Sequence, residues 1–90
     1  MKTYTFHSDA GHAWLEVDRK ELNELGIADK ISTYSYEKDN KVFLEEDCDV
    51  PQFITSLKQN DIKFQFVEVY KRNSPIRNYS PYYKQVLTQY

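Results

Sequence analysis

The chain of 90 residues contains one cysteine, two glycines, three prolines and two histidines. Because Cys48 has no second cysteine to pair with, an internal disulfide is excluded, as is typical of proteins from a reducing compartment. The two glycines build neither a phosphate-binding loop nor a dinucleotide-binding motif, and no CxxC pair is present. Without a recognised catalytic signature, we expect a binding protein rather than an enzyme, and no cofactor.

Long hydrophobic runs are also missing from the sequence. No segment approaches the ~20 apolar residues that cross a bilayer, and the residues after Met1 do not resemble a signal peptide. Together with the unpaired cysteine, this predicts a cytoplasmic protein that makes no contact with a membrane.

Aromatic residues, by contrast, are abundant, and eight of them are tyrosines. Because tyrosine is apolar along its ring and polar at its tip, this surplus predicts half-buried strands or a contact surface. The net charge of −2 is unevenly distributed: residues 1–50 hold six basic and twelve acidic side chains, whereas residues 51–90 hold six and two. The whole chain is not basic enough for a broad phosphate-binding surface.

Two similar units follow each other along the chain. The segment Thr3–Phe6 resembles Thr33–Tyr36, and each unit has two alternating apolar patterns around a polar turn, followed by a helical pattern. The four predicted strands are residues 3–7, 13–17, 32–37 and 41–46.

The predicted helices have local start and stop signals. Asp18 and Glu21 have the spacing of a capping box, and Asp49 is the predicted N-cap of the second helix. Gly26 is expected to end the first helix in the left-handed conformation. Residues 62–70 form a final strand with apolar side chains on both faces, so we expect it to lie at or near the centre of the sheet.

These elements predict one α+β domain in the order ββαββαβ, with a largely antiparallel sheet and both helices on one face. The predicted core covers residues 1–72. Residues 73–90 form an aromatic and basic C-terminal tail with two turn signals, and residues 82–90 fit either a short helix or a loose end.

Both histidines belong to the first hairpin, where His7 and His12 flank a four-residue loop. If they face each other across the hairpin, they could share a metal ion, with Asp9 as third ligand and Glu45 or Glu46 nearby. The spacing fits no established zinc pattern, and Asp9 is also an ordinary turn residue. A metal site, a catalytic histidine and a hairpin that only binds a partner stay as alternatives.

The segment from Glu45 to Asp49 is the densest group of charges. Glu45 and Glu46 are expected on opposite faces of a strand, whereas Asp47 and Asp49 belong to a helix start, where carboxylates are favourable. The segment fits a structural role, an acidic recognition surface or a divalent-cation site. Cys48 is not a candidate nucleophile, because the surrounding acids disfavour its thiolate.

In the tail, Arg77 lies among Tyr79, Tyr82 and other tyrosines. Such a segment can wrap the domain, supply the arginine and tyrosine anchors of a protein interface, or stack nucleic-acid bases. All three interpretations are open at this point.

Three segments, Ser8–Leu15, Leu44–Asp49 and Ser74–Tyr79, together resemble an uncharacterised group of small proteins of bacteria and of their phages and plasmids. The group has no established activity, so the resemblance assigns no residue a role. It implies a context in which small accessory proteins inhibit host defence, as anti-CRISPR and anti-restriction proteins do.

The resulting hypothesis is a non-enzymatic inhibitor, monomeric or homodimeric, that binds a bacterial protein or defence complex. One alternative is a small metal-dependent enzyme acting on nucleic acid or nucleotides, with His7, Asp9 and His12 as ligands. Another is an accessory protein that binds nucleic acid through its C-terminal tail. The candidate binding residues are His7, Asp9, His12, Trp14, Glu45, Glu46, Asp47, Arg77, Tyr79 and Tyr82.

Overall fold

Two hairpins, a parallel crossover strand and a short final strand build one mixed six-stranded sheet in the computed structural model, which describes residues 1–83. Two α-helices complete the domain, so the predicted α+β class is confirmed. The strands are β1 (Lys2–Ser8), β2 (Ala13–Asp18), β3 (Tyr36–Lys38), β4 (Lys41–Glu45), β5 (Phe64–Tyr70) and β6 (Ser80–Pro81). The helices are α1 (Arg19–Glu24) and α2 (Val50–Gln59), with 3-10 turns at Ala28–Lys30 and Pro75–Asn78.

The strand order is β5-β1-β2-β4-β3-β6. Strand β1 pairs in parallel with β5, and all other neighbours are antiparallel. A parallel pair needs a crossover connection, and α2 supplies it between β4 and β5. The crossover delivers β5 to the outer side of β1, so the expectation that residues 62–70 lie at or near the centre of the sheet is wrong: among residues 1–83, β5 is an edge strand.

Both helices pack on one face of the sheet, as the sequence predicts. The ring of Tyr4 meets Phe53 of α2 edge to face, with centroids 5.3 Å apart. Burying such side chains contributes about 1.5–3 kcal/mol each. Within residues 1–83, neither helix is long and apolar enough to cross a membrane. The buried core on this face contains Tyr4, Leu15, Val17, Leu22, Ile27, Ile31, Val42, Leu44, Val50, Phe53, Leu57 and Tyr82.

The end of α1 follows its local sequence signal. Gly26 has a φ of 73°, which a residue with a side chain adopts only with strain. The Ile27 N–H donates to the Leu22 carbonyl at 3.0 Å, which closes the last turn and confirms the prediction for Gly26.

The predicted capping box at the start of α1 does not form. Asp18 is the N-cap residue, but its carboxylate makes no capping hydrogen bond and accepts instead from Lys41 Nζ at 2.6 Å. Glu21 accepts from the Tyr4 hydroxyl at 2.5 Å. Burial and this bond raise the pKa of Tyr4, so its hydroxyl remains a donor. Partners from neighbouring strands therefore replace the local capping contacts.

The carboxylate of Asp49 is fully buried and joins two parts of the chain. It accepts the Ser32 N–H at 3.0 Å, the hydroxyls of Ser32 and Ser35, and the side-chain amide of Gln52 at 3.0 Å. These bonds hold residues 32–35 in a turn. The predicted strand over residues 32–37 is therefore shortened to β3, and Asp49 binds a remote turn instead of capping its own helix.

Replacing Asp49 with alanine should leave several buried donors without an acceptor. We expect the free energy of unfolding to fall by roughly 2–4 kcal/mol, measured by urea denaturation followed by circular dichroism. The matched control is Asp47→Ala, since Asp47 is exposed and should change stability by no more than about 0.5 kcal/mol. Equal losses in the two variants would contradict the role given to Asp49.

Candidate functional site

The segment 74–79 covers the part of the sheet face opposite the helices that contains Trp14 and Phe43. Ile76 is buried between Trp14 and Phe43, and Tyr79 packs on Phe43 with ring centroids 5.2 Å apart. The segment then continues into β6, which pairs with the free edge of β3. Residues beyond the predicted 1–72 core thus form a second, aromatic layer of the domain.

The first hairpin is closed by a turn at its tip, and this turn sets which residues face each other. The Asp9 N–H donates to the His12 carbonyl at 2.9 Å, and the Asp9 carboxylate accepts the N–H groups of Gly11 and His12 at 3.0 and 2.9 Å. In the resulting register His7 lies opposite Trp14. The possibility that His7 and His12 face each other is not realised, because the Asx turn at Asp9 places the four-residue loop at residues 9–12, one position later than the sequence suggests.

His7 has a partner of its own. Its Nε2 atom lies 2.9 Å from Glu16 Oε1, and its ring packs edge-on against Phe43 at 5.8 Å. Both polar side chains line a cleft of about 120 Å³ beneath Ile76. Ligand sites commonly measure ~300–1,000 Å³, so this cleft admits only a very small molecule.

Asp9 and Arg77 fasten the segment 74–79 to the hairpin. Arg77 donates from Nε at 2.6 Å and from a terminal nitrogen at 2.9 Å to the two Asp9 oxygens, and its guanidinium lies 5.5 Å from the centre of the Trp14 ring. The bond from Arg77, followed by that from the Gly11 N–H, holds the pKa of Asp9 well below its usual 3.8. The positive charge of Arg77 is thereby paired with a carboxylate of the same chain at the protein surface.

The three predicted metal ligands do not converge. His7 pairs with Glu16, Asp9 pairs with Arg77, and His12 packs against Trp14 with centroids 5.9 Å apart. Across residues 1–83, no group of three or more histidine, cysteine, aspartate or glutamate side chains is placed to hold a metal ion.

A larger cleft, of about 300 Å³, brings three predicted segments together. It combines the hairpin tip, the acidic segment and the C-terminal segment, which are far apart in the sequence. We call it the aromatic–acidic cleft, and its lining consists of His12, Trp14, Tyr34, Tyr36, Glu45, Asp47, Cys48 and Arg77.

The aromatic–acidic cleft carries a negative charge. Glu45 is buried to all but 9% of its surface and accepts the N–H groups of Asp47 and Cys48 at 2.9 and 2.7 Å, which fixes the turn that presents both residues. The Glu45 carboxylate is also the main cause of the raised pKa of the Cys48 thiol, which therefore stays protonated. Glu45 and Asp47 supply the two carboxylates of the cleft, whereas Arg77 is already paired with Asp9.

The remaining predicted residues lie outside this cleft. Tyr79 contacts Phe43, while the backbone N–H of Glu46 donates to the Ala13 carbonyl. Tyr82 is buried in the helix-side core and its hydroxyl donates to a backbone carbonyl, so it is a core residue and not a contact residue. The part of the C-terminal prediction that covers residues 84–90 lies outside the described residues.

Three residues of the cleft are absent from the predicted binding residues: Cys48, which belongs to the predicted acidic segment, and the two tyrosines Tyr34 and Tyr36. In the strand predicted over residues 32–37, the spacing of two residues would have placed both tyrosine rings on one side, which is a signal that the sequence contains although residues 32–35 form a turn. Tyr34 is 70% exposed, and Tyr36 packs against Trp14 with centroids 6.1 Å apart.

Scans of the chain against protein-family models, curated proteins and solved structures give no match. What the cleft can bind is therefore inferred from its own geometry and charge. Aromatic rings beside carboxylates attract a guanidinium or ammonium group, because the ring faces are negative and the carboxylates accept charge-assisted hydrogen bonds.

Lowering the pH should weaken the attachment of the segment 74–79 to the hairpin. Since the pKa of Asp9 is lower in the folded protein than in the unfolded chain, the stabilisation from the Arg77 contact is complete above about pH 4 and is lost as the pH falls below that value. The fluorescence of Trp14, the single tryptophan, reports this change because Arg77 covers its ring.

The variant Asp9→Asn isolates this effect from other acidic groups. We expect a lower urea midpoint than in the wild type near pH 6 and a smaller further decrease on acidification to about pH 2.5. Arg77→Gln should give the same result, and the double variant should add little, as for two members of one contact. Parallel pH curves for wild type and Asp9→Asn would contradict the assignment.

Proposed function

We propose that this protein is a non-enzymatic binding protein that docks on a bacterial protein through the aromatic–acidic cleft and inhibits it. The observation that carries the proposal is the convergence of the hairpin tip, the acidic segment and the C-terminal segment in one cleft. These are also the segments that resemble small proteins of phages and plasmids. The inhibited partner is accordingly proposed to belong to a host defence system of the CRISPR or restriction type.

The chemistry of the cleft favours a partner that presents an arginine or lysine side chain. Tyr34 offers an exposed ring at the rim, and Asp47 offers an exposed carboxylate beside it. Trp14 and Tyr36 form a rigid floor, so little side-chain entropy is lost on binding. A guanidinium stacked on Tyr34 and paired with Asp47 has the composition of a binding hot spot.

The alternative functions have weaker support in the geometry. A metal-dependent enzyme needs ligands that converge, whereas His7, Asp9 and His12 have three different partners. Binding of nucleic acid through Arg77 is disfavoured because Asp9 neutralises its charge and Glu45 and Asp47 repel phosphate.

Affinity capture from bacterial lysate tests the binding site. We expect the wild type to retain one predominant protein, and Tyr34→Ala to weaken its binding at least ~30-fold, as for hot-spot residues. The matched control is Tyr83→Ala, which removes a similarly exposed tyrosine that does not line the cleft and does not belong to β5. An unaffected complex, or equal losses in both variants, would argue against the cleft.

A phage-plating assay tests inhibition of defence separately from binding. Expression of the wild type in strains that carry a restriction or CRISPR system should raise phage plating at least about tenfold in one of them, an effect that Tyr34→Ala should remove. If no strain loses its protection, the inhibitor proposal fails, while the captured complex still decides whether the cleft is a binding site.

A further inference from the structure

The outer edge of β5 is a second surface with the properties of a binding site. Strand β5 contains seven residues and ends the sheet opposite to β6. Within residues 1–83, its only paired neighbour is β1. An edge of this length presents a row of main-chain groups that another strand can pair with.

The hydrogen-bond pattern with β1 shows which main-chain groups point outward. The Lys2 N–H donates to the Lys63 carbonyl at 3.0 Å, and the Lys71 N–H donates to the Ser8 carbonyl at 2.9 Å. Because ladder bonds alternate along a strand, the odd-numbered residues from 63 to 71 face β1. The outward N–H and C=O groups belong to Phe64, Phe66, Glu68 and Tyr70.

Apolar side chains accompany this row on both faces of the strand. Val67 is 50% exposed and Tyr70 is 64% exposed, and Phe66 and Val69 are each 36% exposed. Such side chains on a half-covered strand can be buried by cross-strand neighbours, and each good pair contributes about 0.2–1 kcal/mol. The edge therefore offers both hydrogen bonds and apolar surface to an added strand.

We propose that the β5 edge binds an extended segment of another protein by strand addition, and that this segment has acidic residues at both ends. Lys63 precedes β5, while Lys71 and Arg72 follow it, so positive charge flanks the edge at each end. Within the described part of the chain, none of these three residues forms a salt bridge. Apolar residues in the middle of the added segment would cover Val67 and its neighbours.

A second copy of the chain fits this edge less well. Full antiparallel overlap of two β5 strands centres on Val67 and places Lys63 opposite Lys71 of the second copy, at both ends of the pair. Like charges directly opposite each other destabilise a strand pair. To avoid this contact, one β5 strand must slip along the other by two residues, since a slip of one residue would turn its side chains to the opposite face of the sheet. The slip makes the seven-residue overlap shorter.

This proposal does not rest on the aromatic–acidic cleft. The strands that carry the cleft residues are β2, β3 and β4, whereas β5 lies beyond β1 at one end of the sheet. Binding at one surface can therefore be tested while the other is intact.

The test uses two labelled peptides of about nine residues, with valine and threonine alternating in the middle and two glutamates or two lysines at each end. In fluorescence polarisation at low salt, the glutamate peptide should bind at least about tenfold more tightly than the lysine peptide, and added salt should reduce the difference. Similar affinities for the two peptides, or no binding of the glutamate peptide, would overturn the proposal.

The variant Glu68→Pro removes an outward N–H without removing a bond to β1. It should weaken binding of the glutamate peptide about tenfold, whereas the matched control Glu68→Ala, which keeps the N–H, should change it less than about threefold. Equal effects of the two variants would exclude strand addition.

Two further measurements keep the proposal falsifiable if Glu68→Pro is poorly folded. Two modified glutamate peptides, one N-methylated at its odd positions and one at its even positions, are tested with the wild-type protein. Only one of the two peptides should lose binding, because only every second N–H of an added strand faces β5. Loss of binding by both peptides or by neither would contradict main-chain pairing. Sedimentation measures whether the protein forms a dimer. If the wild type is dimeric and Glu68→Pro, but not Glu68→Ala, is monomeric, a second copy occupies the β5 edge and the proposal of an acidic partner segment is overturned.

Discussion

Ser35 is the residue on which both the cleft and the chain around Tyr82 depend. Its hydroxyl donates to the buried carboxylate of Asp49 and accepts the Glu45 N–H at 2.9 Å, while the Ser35 carbonyl accepts the Tyr82 N–H at 2.9 Å. One residue without exposed surface thus connects α2, the end of β4 and the chain beyond β6. Because Tyr34 and Tyr36 flank it, the same contacts fix the two rings that shape the rim of the cleft.

The pair of Asp9 and Arg77 has an electrostatic consequence as well as a mechanical one. An unpaired Arg77 would place a positive charge over Trp14 and offset the carboxylates of Glu45 and Asp47. Because Asp9 accepts two hydrogen bonds from the guanidinium and balances its charge, the carboxylates of the cleft are not offset by Arg77, which contributes packing on the Trp14 ring. The contact between Asp9 and Arg77 therefore holds the segment 74–79 on the sheet and also lets the cleft attract a positively charged group.

Local features of the structure could be predicted from the sequence, and those that depend on remote partners could not. Gly26 ends α1 as expected, because its positive φ is a property of a single residue. Asp49 binds a turn seventeen residues away, and Asp9 binds a residue 68 positions away. The spacing of neighbouring residues therefore could not predict the partner of either carboxylate. The alternation in residues 62–70 shows that both faces of β5 carry apolar side chains, but a period of two does not say how many neighbours a strand has.

The acidic first half and the basic second half of the sequence supply charges to two different surfaces of the fold. The acidic first half supplies Glu45 and Asp47 to the cleft, whereas Lys63, Lys71 and Arg72 of the second half flank the β5 edge. The two proposed surfaces therefore differ in sign, so a partner that suits one is repelled by the other. Since the Debye length is ~8 Å at physiological ionic strength, surfaces separated by intervening strands spaced ~4.8 Å apart act almost independently. Each surface can thus select its own partner, which a chain with evenly mixed charge would not achieve.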